Sequence, residues 1–343
     1  MNTSKDYIFN LLSNAILKLK NNKNIGFFTL SKVLEIILKF LLIILLPIIY
    51  GFIGTAYIQT FLTLVFLISV LLIAGSDNWL LKKMTQLNLS QQVAFKDLND
   101  STFLSLKLSF LILIILVATQ LLQINNLPIK VIKENWISIF ISSISFSIIY
   151  NLSWSFRGLG KILLSQLLAG LYWPAILVSI VAFDYLFKNI YLSETKIINL
   201  FTFFIFLPIP FYYFYFYEFV KKNISKKKEI RITKSSSSNY SKLNFFLQSA
   251  SSVGINWLPI FFAGFFLNDS DVGIFSTTYR IGFGIFTALI IINFISAKNI
   301  SKLFQTSSTV KLDSEYKHFS IISSILGILL FLSAIIIVNI LKV

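Results

Sequence analysis

The sequence predicts an all-α integral membrane protein with about nine transmembrane helices, arranged as one six-helix bundle plus half of a second repeat. Hydrophobic residues make up 56% of the 343 positions, and Phe alone occurs 36 times, whereas soluble domains are only about 45–50% apolar. The mean hydropathy is +0.79. Apolar stretches of about 20 residues, the length that crosses hydrocarbon about 30 Å thick, recur along the chain.

Nine apolar stretches satisfy this length criterion, and polar or Gly-containing segments separate them. They lie near residues 25–49, 55–80, 103–123, 136–157, 162–187, 197–219, 243–267, 272–296 and 319–341. Pro174, Pro208 and Pro210 fall within these stretches, and we expect them to kink or interrupt helices. Gly158 and Gly160 follow the fourth stretch and suit a tight turn to the fifth.

The segments outside the apolar stretches divide the chain into four regions. Residues 1–24 carry four Lys residues and a polar-interrupted apolar run, which predicts a cytoplasmic segment that forms either a membrane-surface or a solvated helix. Residues 25–219 would form the first six-helix bundle. Residues 220–242 are basic and then Ser-rich, as in a flexible cytoplasmic linker. Residues 243–343 would supply the first three helices of a second bundle.

The distribution of Lys and Arg predicts the orientation of the protein. With the N-terminus in the cytoplasm, 21 of the 30 Lys and Arg residues fall in cytoplasmic segments and five in outer segments. Cytoplasmic loops of membrane proteins carry such an excess. Basic loops of this kind contact anionic membrane lipid, which is therefore an expected partner, and they argue against nucleic acid as a partner of this +16 chain.

The scarcity of Cys and His limits the kinds of functional site that the chain can form. The chain contains no Cys and a single His, His318, so disulfides, thiolate sites and histidine-based metal sites or triads are not expected. We predict no catalytic residue, no metal and no cofactor.

The regions on either side of the linker resemble each other. The segment from Gly54 aligns with the segment from Gly273, an offset of 219 residues, and both run from an outer turn through an apolar span to a basic patch. The same offset carries the first and third spans onto the seventh and ninth. Internal repeats are common in secondary transporters. Six spans precede the linker and three follow it, so we expect three further spans in a complete second repeat.

Several motifs in this order resemble a known family. They are the Gly54-led span that ends at Gly75-Ser76-Asp77, "RGLGK" at 157–161 and "NDSDVGIFSTTYRIG" at 268–282. Together they resemble the polysaccharide-exporter, or O-antigen (Wzx-type), flippases of the multidrug/oligosaccharidyl-lipid/polysaccharide superfamily. The resemblance implies translocation of a polyprenyl-pyrophosphate-linked oligosaccharide across the bacterial inner (plasma) membrane by alternating access. It also makes other polysaccharide-assembly proteins expected partners.

Three charged residues in the first span are candidates for binding such a substrate. From Lys32, Glu35 lies at about −60° and Lys39 at about −20° around a helix, so all three share one face. Glu35 can pair with both lysines, which leaves one net positive charge that would attract a diphosphate. Charged residues within a bilayer normally face an interior cavity. Alternatively, Lys32 could extend to the cytoplasmic surface, and Glu35 could be a structural partner or a coupling-ion site.

Arg280, inside the eighth span, is a further substrate-binding candidate, although it could instead extend to the outer surface. Asp77 and Arg157, at cytoplasmic span ends, are candidates for an ion pair or for coupling, together with Glu35.

Three other functions remain open from the sequence. A multidrug exporter of the same superfamily and a nonfunctional truncated flippase would share these spans. A membrane glycosyltransferase or polymerase would need substantial outer loops with catalytic acids, whereas the predicted outer loops are short and the longest loop is cytoplasmic. We therefore expect a transporter rather than an enzyme.

Overall fold

The structure, a computed structural model, describes residues 23–85, 90–124, 126–187, 192–224 and 238–282, with isolated helical positions at 320, 324, 328 and 332. Every regular element in these residues is helical. Six of the described helical segments are long and apolar enough to cross a membrane. The predicted fold class, an all-α integral membrane protein, is therefore confirmed. Most of the N-terminal segment, most of the linker, the second half of the eighth span and most of the ninth span lie outside the described residues.

The first two predicted spans are two halves of α1 (Lys23–Ile73), divided at Gly51. Gly51 has φ 63° and ψ −177°, a conformation that is readily available only to glycine. Lys32 and Phe66 line the same cavity, although they would be about 51 Å apart in a straight helix. The two halves therefore fold back on each other, and the single residue Gly51 makes the turn between the predicted spans 25–49 and 55–80.

The second half of α1 ends earlier than the sequence predicted. Ala74 and Gly75 have φ values of 49° and 75°, which break the helix after Ile73. The short helix α2 (Ser76–Met84) follows at an angle set by this turn. The predicted span at 55–80 is therefore one membrane helix and the first part of α2, because left-handed backbone angles cannot continue a helix.

Helix α3 (Gln91–Ala118) begins at a Ser90 cap, whose side chain accepts a hydrogen bond from the Val93 amide. A single 3₁₀ turn, Thr119–Leu121, extends its end. Large apolar side chains on α3, including Phe103, Phe110 and Leu111, are exposed. A helix that crosses lipid keeps such side chains outward, which agrees with the predicted third span.

Helix α4 (Leu127–Gly158) is the centre of the bundle and packs against α1, α2, α3 and later helices. Its Ser-rich sequence explains this position, because small side chains let neighbouring helices approach closely. Ser142 pairs with Thr202, and the Ser143 hydroxyl donates to the Val65 carbonyl. At its end, Gly160 has φ 80° and makes the turn. Gly158 instead packs against α2, where an added Cβ would lie 2.5 Å from Met84 Cβ.

The fifth span contains α5 (Ile162–Gln166), a π-helical turn (Leu167–Leu171) and α6 (Tyr172–Leu186). The sixth predicted span is likewise two helices, α7 (Glu194–Phe206) and α8 (Ile209–Asn223). Pro208 lies between them, where its missing N–H removes a helical hydrogen bond and its ring crowds the preceding turn. Pro174 lies near the start of α6.

Two helices that fall in the predicted second repeat complete the described structure. Helix α9 (Ser238–Phe266) contains Pro259 and packs mainly on α1, with further contacts to α2 and α4. The next helix, α10, is described over residues 269–282. They correspond to the seventh and eighth predicted spans, and they place part of the second repeat directly against the first bundle.

Candidate functional site

A cavity of about 390 Å³ lies between the first bundle and the second-repeat helices. Helices α1, α4, α5 and α6 supply one side of it, and α9 and α10 supply the other. Among the described residues, five charged side chains line the cavity: Lys32, Glu35, Lys39, Arg157 and Arg280. The structure therefore brings together, in one place, all four residues that the sequence nominated for substrate binding. Their role in binding a substrate stays a prediction.

Glu35 is the centre of the charged side of the cavity. Its Oε2 accepts from Lys32 Nζ at 2.9 Å, and its Oε1 accepts from Lys39 Nζ at 2.5 Å. These are the i, i+3 and i, i+4 ion pairs that the helical spacing predicts. Gln166 Nε2 also donates to Glu35 Oε2 at 2.5 Å. Glu35 is only 4% exposed, so these contacts offset the cost of burying a charge within the membrane.

Lys39 contacts the cavity wall as well as Glu35. Its Nζ lies 5.5 Å from the centroid of the Trp173 ring, a cation–π distance. Lys39 is about 18 Å along the helix from Gly51, so it lies well inside the membrane. Lys32, nearer the start of α1, points to the same carboxylate rather than away from it.

Arg280 faces the cavity from α10. Its Cζ lies 3.5 Å from the centroid of the Trp257 ring, and its Nη2 is buried with no hydrogen-bond partner among the described residues. The Trp257 ring stacks on Phe66, with centroids 4.4 Å apart, and Phe66 contacts Trp173 at 5.2 Å. Arg280 therefore lies against this aromatic wall and does not extend to the outer surface. It leaves a buried N–H group available for an acceptor.

The two cytoplasmic-end candidates are separated. Arg157 lines the cavity, with its guanidinium 4.9 Å from the centroid of the Trp154 ring. Asp77 lies at the contact between α2 and α9, outside the cavity lining. Its Oδ2 accepts from Ser249 Oγ at 2.9 Å, while its Oδ1 is buried without a partner in the described part of the chain. Burial raises the pKa of the Asp77 carboxyl, because a buried carboxylate loses hydration.

The sequence did not identify Gln166, Gly170, Trp173 and Trp257 as parts of this site. Gln166 is the only long amide side chain in the fifth span, and an amide within a span is a usable signal for an interior position. The two tryptophans could be read as interfacial or packing residues, so nothing local distinguished them.

Helices α9 and α10 contact the first helices of the chain directly at two places near the cavity. Towards the predicted outer side, an added Cβ at Gly273 would lie 2.0 Å from the Phe52 carbonyl oxygen, and one at Gly264 would lie 2.8 Å from Pro128 Cγ. The second-repeat helices therefore touch α1 and α4 there with almost no intervening side chain. Towards the cytoplasm, the contact is polar and is made by Asp77 and Ser249.

Within the described segments, no group of three or more His, Asp or Glu side chains is arranged to hold a metal ion. The chemistry available at the cavity is that of ammonium and guanidinium groups, amide donors and aromatic rings. These groups suit reversible binding of an anion that also has apolar surface.

The fold is similar to that of a solved membrane transporter. The chain matches the MATE multidrug transporter DinF-BH, solved as a ligand complex, with a TM-score of 0.56 over 87% of this chain and 71% of that chain. The sequence identity is 16%, so the similarity shows the fold alone. No protein-family model matches the chain, and no curated protein sequence matches it at a significant level.

The fold of the described residues is therefore similar to that of a MATE transporter. One fold can host both a polysaccharide exporter and a multidrug exporter. The choice between them depends on the cavity.

Proposed function

We propose that this protein is a membrane transporter that moves an anionic, lipid-linked substrate, of the polyprenyl-pyrophosphate oligosaccharide class, across the bacterial inner membrane. The main support for this proposal is the charge of the cavity. Among the described residues, four cationic side chains and a single carboxylate line it. A cavity within a membrane concentrates the field of its charges, because the surrounding dielectric is low.

A diphosphate matches this charge better than a cationic compound does. One unit charge about 4 Å from another is worth roughly 4 kcal/mol at an effective dielectric constant of about 20. A diphosphate would therefore gain from Lys39 and Arg280 together, while a cation would be repelled by both. The unpartnered Nη2 that Arg280 presents within the described structure supports the same reading, because a phosphate oxygen would satisfy that donor.

The location of the cavity supports transport. Its lining comes from the first bundle and from helices of the second repeat, and the two contact each other on both sides of it. Separating one set of contacts while keeping the other would expose the cavity to one side of the membrane at a time. This is the alternating-access movement that repeat-built transporters use. We also propose that the N-terminus lies in the cytoplasm, as the distribution of Lys and Arg predicts.

A multidrug exporter is the second candidate function. The aromatic wall of Phe66, Trp173 and Trp257 suits flat organic compounds, and the structural neighbour is a multidrug transporter. The wall also suits the apolar faces of sugar rings, so it does not separate the two functions. The excess of cationic side chains favours the anionic substrate.

The test is transport by the full chain reconstituted in liposomes. A fluorescent polyprenyl-pyrophosphate-linked oligosaccharide is loaded into both leaflets, and an impermeant quencher reports its movement. We expect wild type to equilibrate the lipid, Lys39→Ala to abolish equilibration, and Lys39→Arg to keep part of it, since arginine retains the charge in a different shape. All three proteins should insert and purify equally.

Two outcomes would contradict the proposal. Normal lipid movement by a well-folded Lys39→Ala variant would remove Lys39 from the substrate pathway. Uptake of a cationic dye by the same liposomes, without movement of the lipid-linked sugar, would favour the multidrug function instead.

A further inference from the structure

Gly170 and the π-helical turn form a seat for the Glu35 carboxylate. An added Cβ at Gly170 would lie 2.4 Å from Glu35 Oε2 and 2.1 Å from Gln166 Nε2. The carboxylate therefore occupies the space that any other residue at position 170 would fill. The π turn spans Leu167–Leu171, and such turns insert one extra residue into a helix, often at functional sites.

The seat has a second component. Gln166 begins the same turn of helix and donates its side-chain N–H to Glu35 Oε2. The Gln166 donor and the space left by the missing Cβ lie next to each other. The donor binds the carboxylate, and the space admits it. In this position each oxygen binds one lysine, Oε2 to Lys32 and Oε1 to Lys39.

This arrangement places an anion of the protein where an anion of the substrate would bind. A carboxylate and a phosphate present similar oxygen acceptors to an ammonium group. Both lysines are engaged by Glu35 in the described structure, so an incoming phosphate must displace it or share its partners. We propose that Glu35 is a built-in competitor for the two lysines, held by Gly170 and Gln166, which lowers the affinity for the anionic head group so that it can be released. This inference rests on the proposed function.

Weakened binding serves a carrier. A site that conducts or carries must bind its cargo well enough to collect it and weakly enough to let it leave. When the competent state of a site is only partly populated, the apparent dissociation constant rises by the inverse of that fraction. Glu35 keeps both lysines in ion pairs for part of the time. It therefore raises the apparent dissociation constant for the anionic head group, while the number of cationic groups in the cavity stays the same.

A purely structural role for Glu35 makes a different prediction. If Glu35 only neutralises the lysines for insertion, Glu35→Gln would still raise anion affinity, because it removes a negative charge from the cavity. Gly170→Ala, which keeps that charge, would then leave the affinity unchanged. The competitor role requires the affinity to increase. It also requires the same direction of change when the carboxylate is displaced without loss of its charge.

The experiment measures binding of inorganic pyrophosphate to the purified full chain in detergent, by calorimetry at constant ionic strength. We expect Glu35→Gln to bind at least about tenfold more tightly than wild type. Gly170→Ala should shift affinity in the same direction by a smaller factor, about threefold to tenfold, because its methyl group displaces the carboxylate. Lys39→Ala should cancel the gain when combined with Glu35→Gln.

Gly282→Ala is the matched control for a helical glycine replacement. An added Cβ there has no heavy atom of the described structure within 4 Å, so its pyrophosphate affinity should equal that of wild type. If Glu35→Gln fails to fold, Gly170→Ala alone tests the competitor role. This variant should fold, because its methyl group meets only the ends of the flexible Gln166 and Glu35 side chains.

The outcomes separate the two proposals. Wild-type binding that Lys39→Ala abolishes, but that Gly170→Ala leaves unchanged or weakens, would overturn the competitor role and leave the anionic substrate standing. Absence of pyrophosphate binding in every variant would overturn the anionic substrate itself.

Discussion

Replacing Gly273 by alanine should loosen the contact between Gly273 of α10 and Phe52 of α1. We call this contact, at the predicted outer end of the protein, the outer seal. Gly273 lies near the start of α10 and packs against the backbone of α1 just after the Gly51 turn. The added Cβ would lie 2.0 Å from the Phe52 carbonyl oxygen, 2.7 Å from its carbonyl carbon and 2.9 Å from its Cα. These are backbone atoms, so no side-chain rotation can relieve the overlap.

The size of the effect follows from these distances. Ordinary contact begins at 3.4 Å, so α10 and α1 must separate locally by more than 1 Å. Overpacking of this kind costs typically about 1–3 kcal/mol. If the penalty applies only to the state in which the outer seal is closed, the ratio of open to closed molecules should rise by roughly 5- to 150-fold.

The assay uses a reporter beneath the seal. The chain contains no Cys, so Thr277→Cys supplies a single thiol one turn inward from Gly273, at a position that is 2% exposed. We measure its labelling by an impermeant maleimide added from the outer side of intact cells. Gly273→Ala should accelerate labelling, while Gly282→Ala, which meets no neighbouring atom of the described residues, should leave it unchanged.

Two results would refute this reasoning. Equal labelling rates in a folded Gly273→Ala protein would mean that the Phe52 contact does not limit access. Faster labelling from the cytoplasmic side alone would mean that this contact does not belong to the outer seal.

Three further predictions follow from the structure. Single cysteines at Thr85 and Gln123, which flank α3, should react with an impermeant reagent from opposite sides of the membrane, with Gln123→Cys accessible from outside; the reverse pattern would invert the topology. Burial raises the pKa of Asp77, so its stabilising contribution is complete below its unfolded-state pKa and is lost as the pH rises through the raised pKa. The difference in Tm between Asp77→Asn and wild type, measured in detergent, should therefore shift in favour of the variant as the pH increases. A difference that does not change with pH would contradict the raised pKa of Asp77. Trp257→Ala should weaken pyrophosphate binding by up to about tenfold through loss of the Arg280 contact, with Trp257→Phe in between; equal affinities for Trp257→Ala and Trp257→Phe would exclude a cation–π contribution.

The sequence determined the class of protein and the local geometry of its charged face. Composition and span length are enough to predict a helical membrane protein, because hydrocarbon admits few other structures. The pairing of Glu35 with Lys32 and Lys39 was also predictable, since residues three and four apart on a helix are neighbours whatever the rest of the chain does.

Several boundaries were predicted less well, and each has a local backbone cause. The turn between the first two predicted spans is one glycine, the second span stops at Ala74, and Pro208 divides the sixth span. Hydropathy averages over about 19 residues, so it cannot register a break made by one or two residues with unusual backbone angles.

Tertiary structure alone decided which residues share the cavity. Arg280 and Trp257 come from the second repeat, and they meet Lys39 and Glu35 only because α9 and α10 pack on the first bundle. The seat at Gly170 depends in the same way on a glycine of one helix and a carboxylate of another, 135 positions earlier in the chain. Contacts between residues so far apart are set by how whole helices pack, and helix packing depends on shape complementarity that no local pattern of hydrophobicity or charge records.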